Sequence, residues 1–191
     1  VVFGRQVLVG EKQLVGVIGS KAVHNLTADE KETAIKLENM YVDIGAKSKE
    51  ETESLVSLGE PVAFRSDFIE FGDGFIKSKA IDDRLGCAVL LKLIKSDLEY
   101  DTYFTFVTQE EIGLRGAKTA AFSVEPDIAI VFESTTAADI PEVSAEKRVC
   151  ELNKGAVVGF MDRSTIYNKE LYNLAFETAK ENNIPCQTKT M

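Results

Sequence analysis

The chain changes its pattern once, and that change limits its folds more than any other feature. Before Gly72-Asp73-Gly74, short apolar runs are punctuated by glycine: Gln6–Val9, Leu14–Ile18, Met40–Ile44, Val62–Phe64 and Phe68–Phe71. Strands this short with Gly turns suggest a small barrel or sandwich. One helix interrupts them. Ser48 and Glu51 make an S-x-x-E capping signature, with the helix running to about Leu58 and ended by Gly59. Gly72-Asp73-Gly74 reads as a turn and a boundary.

Beyond Phe75, strand and helix alternate. Leu90, Leu91, Ile94 and Leu98 share one face of a helix over Leu85–Leu98. Tyr103–Thr108 (YFTFVT) is a β-branched and aromatic strand pattern, and Gly116–Phe122 a short helix. Ile128–Phe132 (IAIVF) is continuously apolar, which predicts a strand buried on both faces. Asn168 caps a helix over Lys169–Asn182, and Ile184-Pro185 opens the next strand. The expectation is an α/β fold. Residues 1–72 form a small β-barrel-like domain, and residues 73–191 form part of a mixed sheet flanked by helices.

Charge and composition exclude several functions. Thirty-one acids against 22 bases leave a net charge of -9 with no basic patch, so nucleic acid is not an expected partner. No apolar run approaches the roughly 18 residues of a membrane span. Cys87, Cys150 and Cys186 are scattered, without disulfide or zinc-finger spacing, and read as free thiols in a reducing compartment. His24 is the single histidine, so Ser-His-Asp chemistry would have to use it, and any metal site within the chain is mostly carboxylate.

The acids that stand out do so by position. Asp82-Asp83 lies just before a helix, Glu110-Glu111 just past YFTFVT, and Glu133 just past IAIVF. In an open α/β sheet, functional groups gather at the carboxyl ends of strands. Clustered carboxylates repel one another unless a cation neutralises them. Carboxylates alone suit Mg or Mn, and mixed His and carboxylate ligands suit Zn or Co. Taken singly, each doublet is equally an ordinary feature. Asp-Asp before a helix can cap it, and Glu-Glu after a strand can be a solvated turn. Spacing leaves the function undecided.

Larger motifs carry a resemblance. Ser78-Lys79-Ala80-Ile81-Asp82-Asp83-Arg84-Leu85-Gly86-Cys87, then Thr108-Gln109-Glu110-Glu111-Ile112-Gly113-Leu114-Arg115-Gly116-Ala117, resembles the glutamyl and deblocking aminopeptidases. That family includes tetrahedral dodecameric aminopeptidases with dinuclear metal sites. Val131-Phe132-Glu133-Ser134-Thr135-Thr136 and Val42-Asp43-Ile44-Gly45-Ala46 extend the likeness over nearly the whole chain. The resemblance implies a metallopeptidase-type sheet and two divalent ions, Zn or Co. Asp82 would bridge the ions, with a cis peptide to Asp83. Glu111 would bind one ion and Glu133 the other. Glu110 would be the general base, and the reaction would remove N-terminal residues from peptides. It also implies a cytoplasmic homo-oligomer assembled through the β-rich domain.

Two departures matter. The family's two histidine ligands fall before and after the matched segment, so residues 1–191 are expected to be the middle of a longer enzyme and inactive alone. His24 matches neither ligand and reads as structural. Cys87 reads as a small core residue, and Arg84 and Arg115 as partners of nearby acids. Two rivals remain: a non-catalytic assembly fragment, and an endoglucanase, a label some relatives carry, with Glu110 and Glu133 as the acid pair.

Overall fold

The computed structural model describes residues 2–190 and has two compact units, Val1–Lys79 and Ala80–Met191. Both contain strands and helices, so the fold is mixed α/β. No helix among the described residues is long and apolar enough to cross a membrane.

The first unit is built on an antiparallel sheet. Its strands are β1 (Gln6–Val9), β2 (Leu14–Ser20), β3 (Met40–Asp43) and β4 (Val62–Phe64), in the order β3-β2-β1-β4. Register explains its core. Val7 lies between Gly16 and Phe64, and Val9 between Leu14 and Val62, so directly opposed residues share one face. Val7 and Val9 are the two buried side chains of that face. The sheet is open, with β3 and β4 as its edges among the described residues, so the expected barrel-like closure is not seen. Closure would need a ladder between those edge strands, and β4 has only three residues to offer it.

Two short helices follow their capping signals. In α1 (Ala28–Glu32), Thr27 and Glu30 form a reciprocal capping box, a signal the sequence carried in Thr27-Ala28-Asp29-Glu30. In α2 (Lys49–Leu55), Ser48 Oγ accepts from Glu51 N at 3.1 Å, while the Glu51 carboxylate reaches Lys47 N at 2.7 Å. This helix stops at Leu55, one turn short of the expected Leu58. Gly72-Asp73-Gly74 is the tip of a hairpin joining β5 (Ile69–Phe71) to β6 (Phe75–Lys77). Phe71 and Phe75 stack across it at 5.8 Å. The chain therefore pairs across this turn, and the division between units falls after Lys79.

The second unit holds α3 (Ile81–Leu93), α4 (Arg115–Val124), β7 (Ala156–Gly159), α5 (Lys169–Glu181) and β8 (Cys186–Lys189). β7 and β8 are parallel neighbours joined through α5, a βαβ crossover. Asn168 Oδ1 caps α5 by accepting from Glu170 N and Leu171 N at 2.8 and 3.0 Å. One face of α5 carries Tyr172, Phe176 and the buried Ala179. Tyr172 meets Phe160 edge-on at 5.6 Å and hydrogen-bonds Thr188 of β8.

The expected strands at 103–108 and 128–132 are not strands among the described residues. Neither joins a ladder, and Tyr103, Ile128, Ile130 and Val131 are exposed. The physical reason is that β-propensity describes a side chain suited to a pleated surface. It supplies no partner, and a parallel strand needs neighbours for its backbone groups.

Candidate metal centre

The site begins where α3 begins, and irregularly. Ala80 is left-handed (φ 52°), and Asp82 and Asp83 leave the helical region at φ/ψ of -84/108° and -118/55°. The peptide between Asp82 and Asp83 is cis. Regular helix starts only after Asp83, whose Oδ1 accepts from Gly86 N at 2.8 Å. The capping reading of the doublet thus describes Asp83, while Asp82 is left free of the helix.

Far along the chain, Glu133 follows the extended apolar run and Ser134 N donates to its Oε1 at 3.1 Å. One ligand-capable oxygen from each of Asp82, Asp83 and Glu133 lies within 4.8 Å of the others. Asp82 and Glu133 are thus brought together. Asp83, expected only as a helix cap and the cis partner of Asp82, joins them.

Glu110 and Glu111 stand in the turn between residue 108 and α4, both exposed, and neither belongs to that carboxylate group. The turn itself is firmly set. Gly113 N and Leu114 N both donate to the Glu110 carbonyl at 2.9 Å, and Gly116 N donates to Thr108 O at 3.1 Å. A Cβ at Gly116 would sit 2.3 Å from that Thr108 oxygen, so only glycine lets α4 fold back this closely.

Arg84 and Arg115 are exposed and form no ion pair among the described residues, so they do not offset the acids as expected. His24 is exposed in a 3₁₀ turn, Val23–Asn25, of the first unit. Cys87, Cys150 and Cys186 are free and partly buried.

Electrostatics mark the cluster as short of positive charge. Glu133 is an exposed residue overall, yet its carboxyl is partly desolvated, hydrogen-bonded to Asp82 and close to the charges of Asp83 and Asp82. These causes, desolvation first, push its pKa from an ordinary 4.5 up to about 7. Hard carboxylate oxygens packed this closely suit a divalent cation, so the donor set fits the carboxylate share of such a site.

A pH dependence follows for the metal-free protein. Glu133 takes up a proton on folding between its ordinary pKa of 4.5 and about 7. Its contribution to stability is complete below that window and is lost as pH rises through it. Denaturant unfolding is expected to give lower stability at about pH 8 than at about pH 5, and Glu133→Gln to flatten that slope. The same slope in both proteins would show that Glu133 titrates normally.

Comparison with known proteins identifies the family of the chain. The sequence profile of M42 glutamyl aminopeptidases matches residues 1–191. A protein of Acetivibrio thermocellus that bears an aminopeptidase name is 43% identical over 178 residues, 92% of this chain and 52% of that protein. The crystal structure of the TET aminopeptidase from Thaumarchaeota archaeon SCGC AB-539-E09 is similar with a TM-score of 0.88 at 35% identity. It is matched over 100% of this chain and 56% of its own. A Thermotoga maritima structure described as an endoglucanase is similar with a TM-score of 0.77 at 36% identity, over 100% of this chain and 55% of its own. The chain spans about half the length of the curated relatives it matches. A profile match along its whole length, with these relatives, places the chain in the M42 glutamyl aminopeptidase family.

Proposed function

We propose that the full-length protein is a cytoplasmic metal-dependent aminopeptidase that removes N-terminal residues from peptides. In this reading Asp82, Glu111 and Glu133 are metal ligands and Glu110 is the general base. The observation that carries it is the meeting of Asp82 and Glu133 carboxylates within 4.8 Å from segments distant in sequence. The raised pKa of Glu133, due first to desolvation and then to its carboxylate neighbours, supports it, because a bound cation would favour the ionised carboxylate.

Two bound divalent ions, Zn or Co, would supply Lewis-acid polarisation of the scissile carbonyl and a more acidic attacking water. The chain's own residues do the rest. Asp82 and Glu133 fix the position of positive charge at the end of the apolar segment. Glu110, held on a backbone pinned by two hydrogen bonds, takes the proton of the attacking water and returns it to the leaving amine.

The first unit is the assembly surface of a homo-oligomer in this account. Val15, Val17 and Tyr41 share the outer face of its sheet and are all exposed, an apolar patch that a second copy would cover.

The test is hydrolysis of aminoacyl-p-nitroanilides by the full-length protein with and without Zn or Co. Metal-dependent turnover is expected there. Residues 1–191 alone are expected to give none, since they carry only three of the ligands the family pattern implies. The endoglucanase-described neighbour supports one other reading, a glycosidase acid pair of Glu110 and Glu133. Sugar release from carboxymethylcellulose by metal-stripped protein, without peptide hydrolysis, would favour it.

A further inference from the structure

Asp82 and Glu133 come from separate segments, and two sets of contacts join them. One is Ser134. Its Oγ lies 3.2 Å from the Ile81 carbonyl, to which it donates, and 3.4 Å from Asp83 Oδ1. Asp83 Oδ1 in turn accepts from Gly86 N. A second contact is Gly86 itself, which is buried. A Cβ at that position would fall 2.2 Å from Asp83 Oδ2 and 2.7 Å from the carbonyl oxygen of Phe132. The backbone of α3 therefore touches the peptide that leads directly into Glu133.

We propose that Ser134, Asp83 and Gly86 form a latch that positions Glu133 against Asp82 for metal binding. This rests on the metal-site reading above. In it, Asp83 is a positioning residue whose carboxylate is committed to the helix start, with the Ser134 hydroxyl beside it at 3.4 Å. Ser134 ties the end of the 128–132 segment to the first turn of α3. Gly86 permits the approach that any side chain would block.

The chemistry of each group suits this role. A carboxylate that accepts from a backbone N–H, as Asp83 does from Gly86 N, is fixed in direction, as groups around metal ligands are. Serine and threonine can both supply the hydroxyl, and alanine cannot. Removing such a partner costs about 10–100-fold in metal affinity.

The experiment is competition of the metal-free, full-length protein with a chromophoric chelator for Zn. Ser134→Ala is expected to weaken Zn binding by at least about 10-fold. Ser134→Thr should keep wild-type affinity, and the metal-free unfolding midpoints of the two variants should agree. Gly86→Ala should weaken binding further; if it does not fold, the Ser134 pair decides. Equal Zn affinity in wild type and Ser134→Ala would overturn the latch. So would a loss of affinity matched by a fall of the metal-free midpoint, which marks a structural role only. A wild-type protein that binds no Zn would overturn the metal-site reading itself, and the latch with it.

Discussion

Glu110→Gln in the full-length enzyme is expected to lower kcat on an aminoacyl-p-nitroanilide by about 10²–10⁴-fold, the usual worth of a positioned general base. Glutamine has the same shape and cannot accept a proton. The backbone at this position is held by bonds from Gly113 N and Leu114 N to the Glu110 carbonyl, which the substitution leaves intact. Its carboxylate has no hydrogen-bond partner among the described residues, so folding should be unaffected. Glu110 is the base and not a metal ligand in the proposed reading. Zn affinity should therefore stay near wild type while turnover collapses. A variant with full kcat would assign the proton transfer to another group.

Asp82→Asn is expected to act the other way, through the metal. Asp82 is free of the helix-capping role, which Asp83 fills, so the change should cost little stability. It removes one of the negative charges grouped with Glu133. Zn affinity should fall by more than about 100-fold, beyond the range seen for outer-shell partners, and activity should fall with it. The difference between the two variants is diagnostic: one keeps metal and loses proton transfer, and the other loses metal. Chelator competition and kinetics on the same preparations separate them.

What the sequence disclosed depended on whether its signal was local. β1 matches its apolar run residue for residue and pairs with the next strand across a tight turn, whereas β4 matches its run although its partner β1 is distant in sequence. Asn168 and Ser48 cap the helices they were expected to cap, since a cap is a contact over three residues. The helix at Thr27 carries the same kind of signal in Thr27-x-x-Glu30, though it is only five residues long. Residues 103–108 and 128–132 had strand composition without ladder partners, and composition cannot say which backbone will lie alongside.

The site divides in the same way. That Asp82 and Glu133 mattered was legible from motifs, and their meeting is a long-range fact of the fold. The different duties of two adjacent aspartates were not legible. Asp83 turns back to Gly86 N, and Asp82 faces Glu133, a distinction set by backbone angles rather than residue type. Ser134 and Gly86 are small residues beside conspicuous acids, and only the distances between segments give them a part.

In the proposed reading, Asp82 and Glu133 share bound metal. Anomalous diffraction at the zinc edge, from crystals of the full-length protein grown with Zn, tests it most directly. Peaks are expected at about 2.0–2.2 Å from carboxylate oxygens of both residues, the ordinary Zn–O distance. Strong peaks confined to other parts of the protein, with Asp82 and Glu133 facing only solvent, would contradict it.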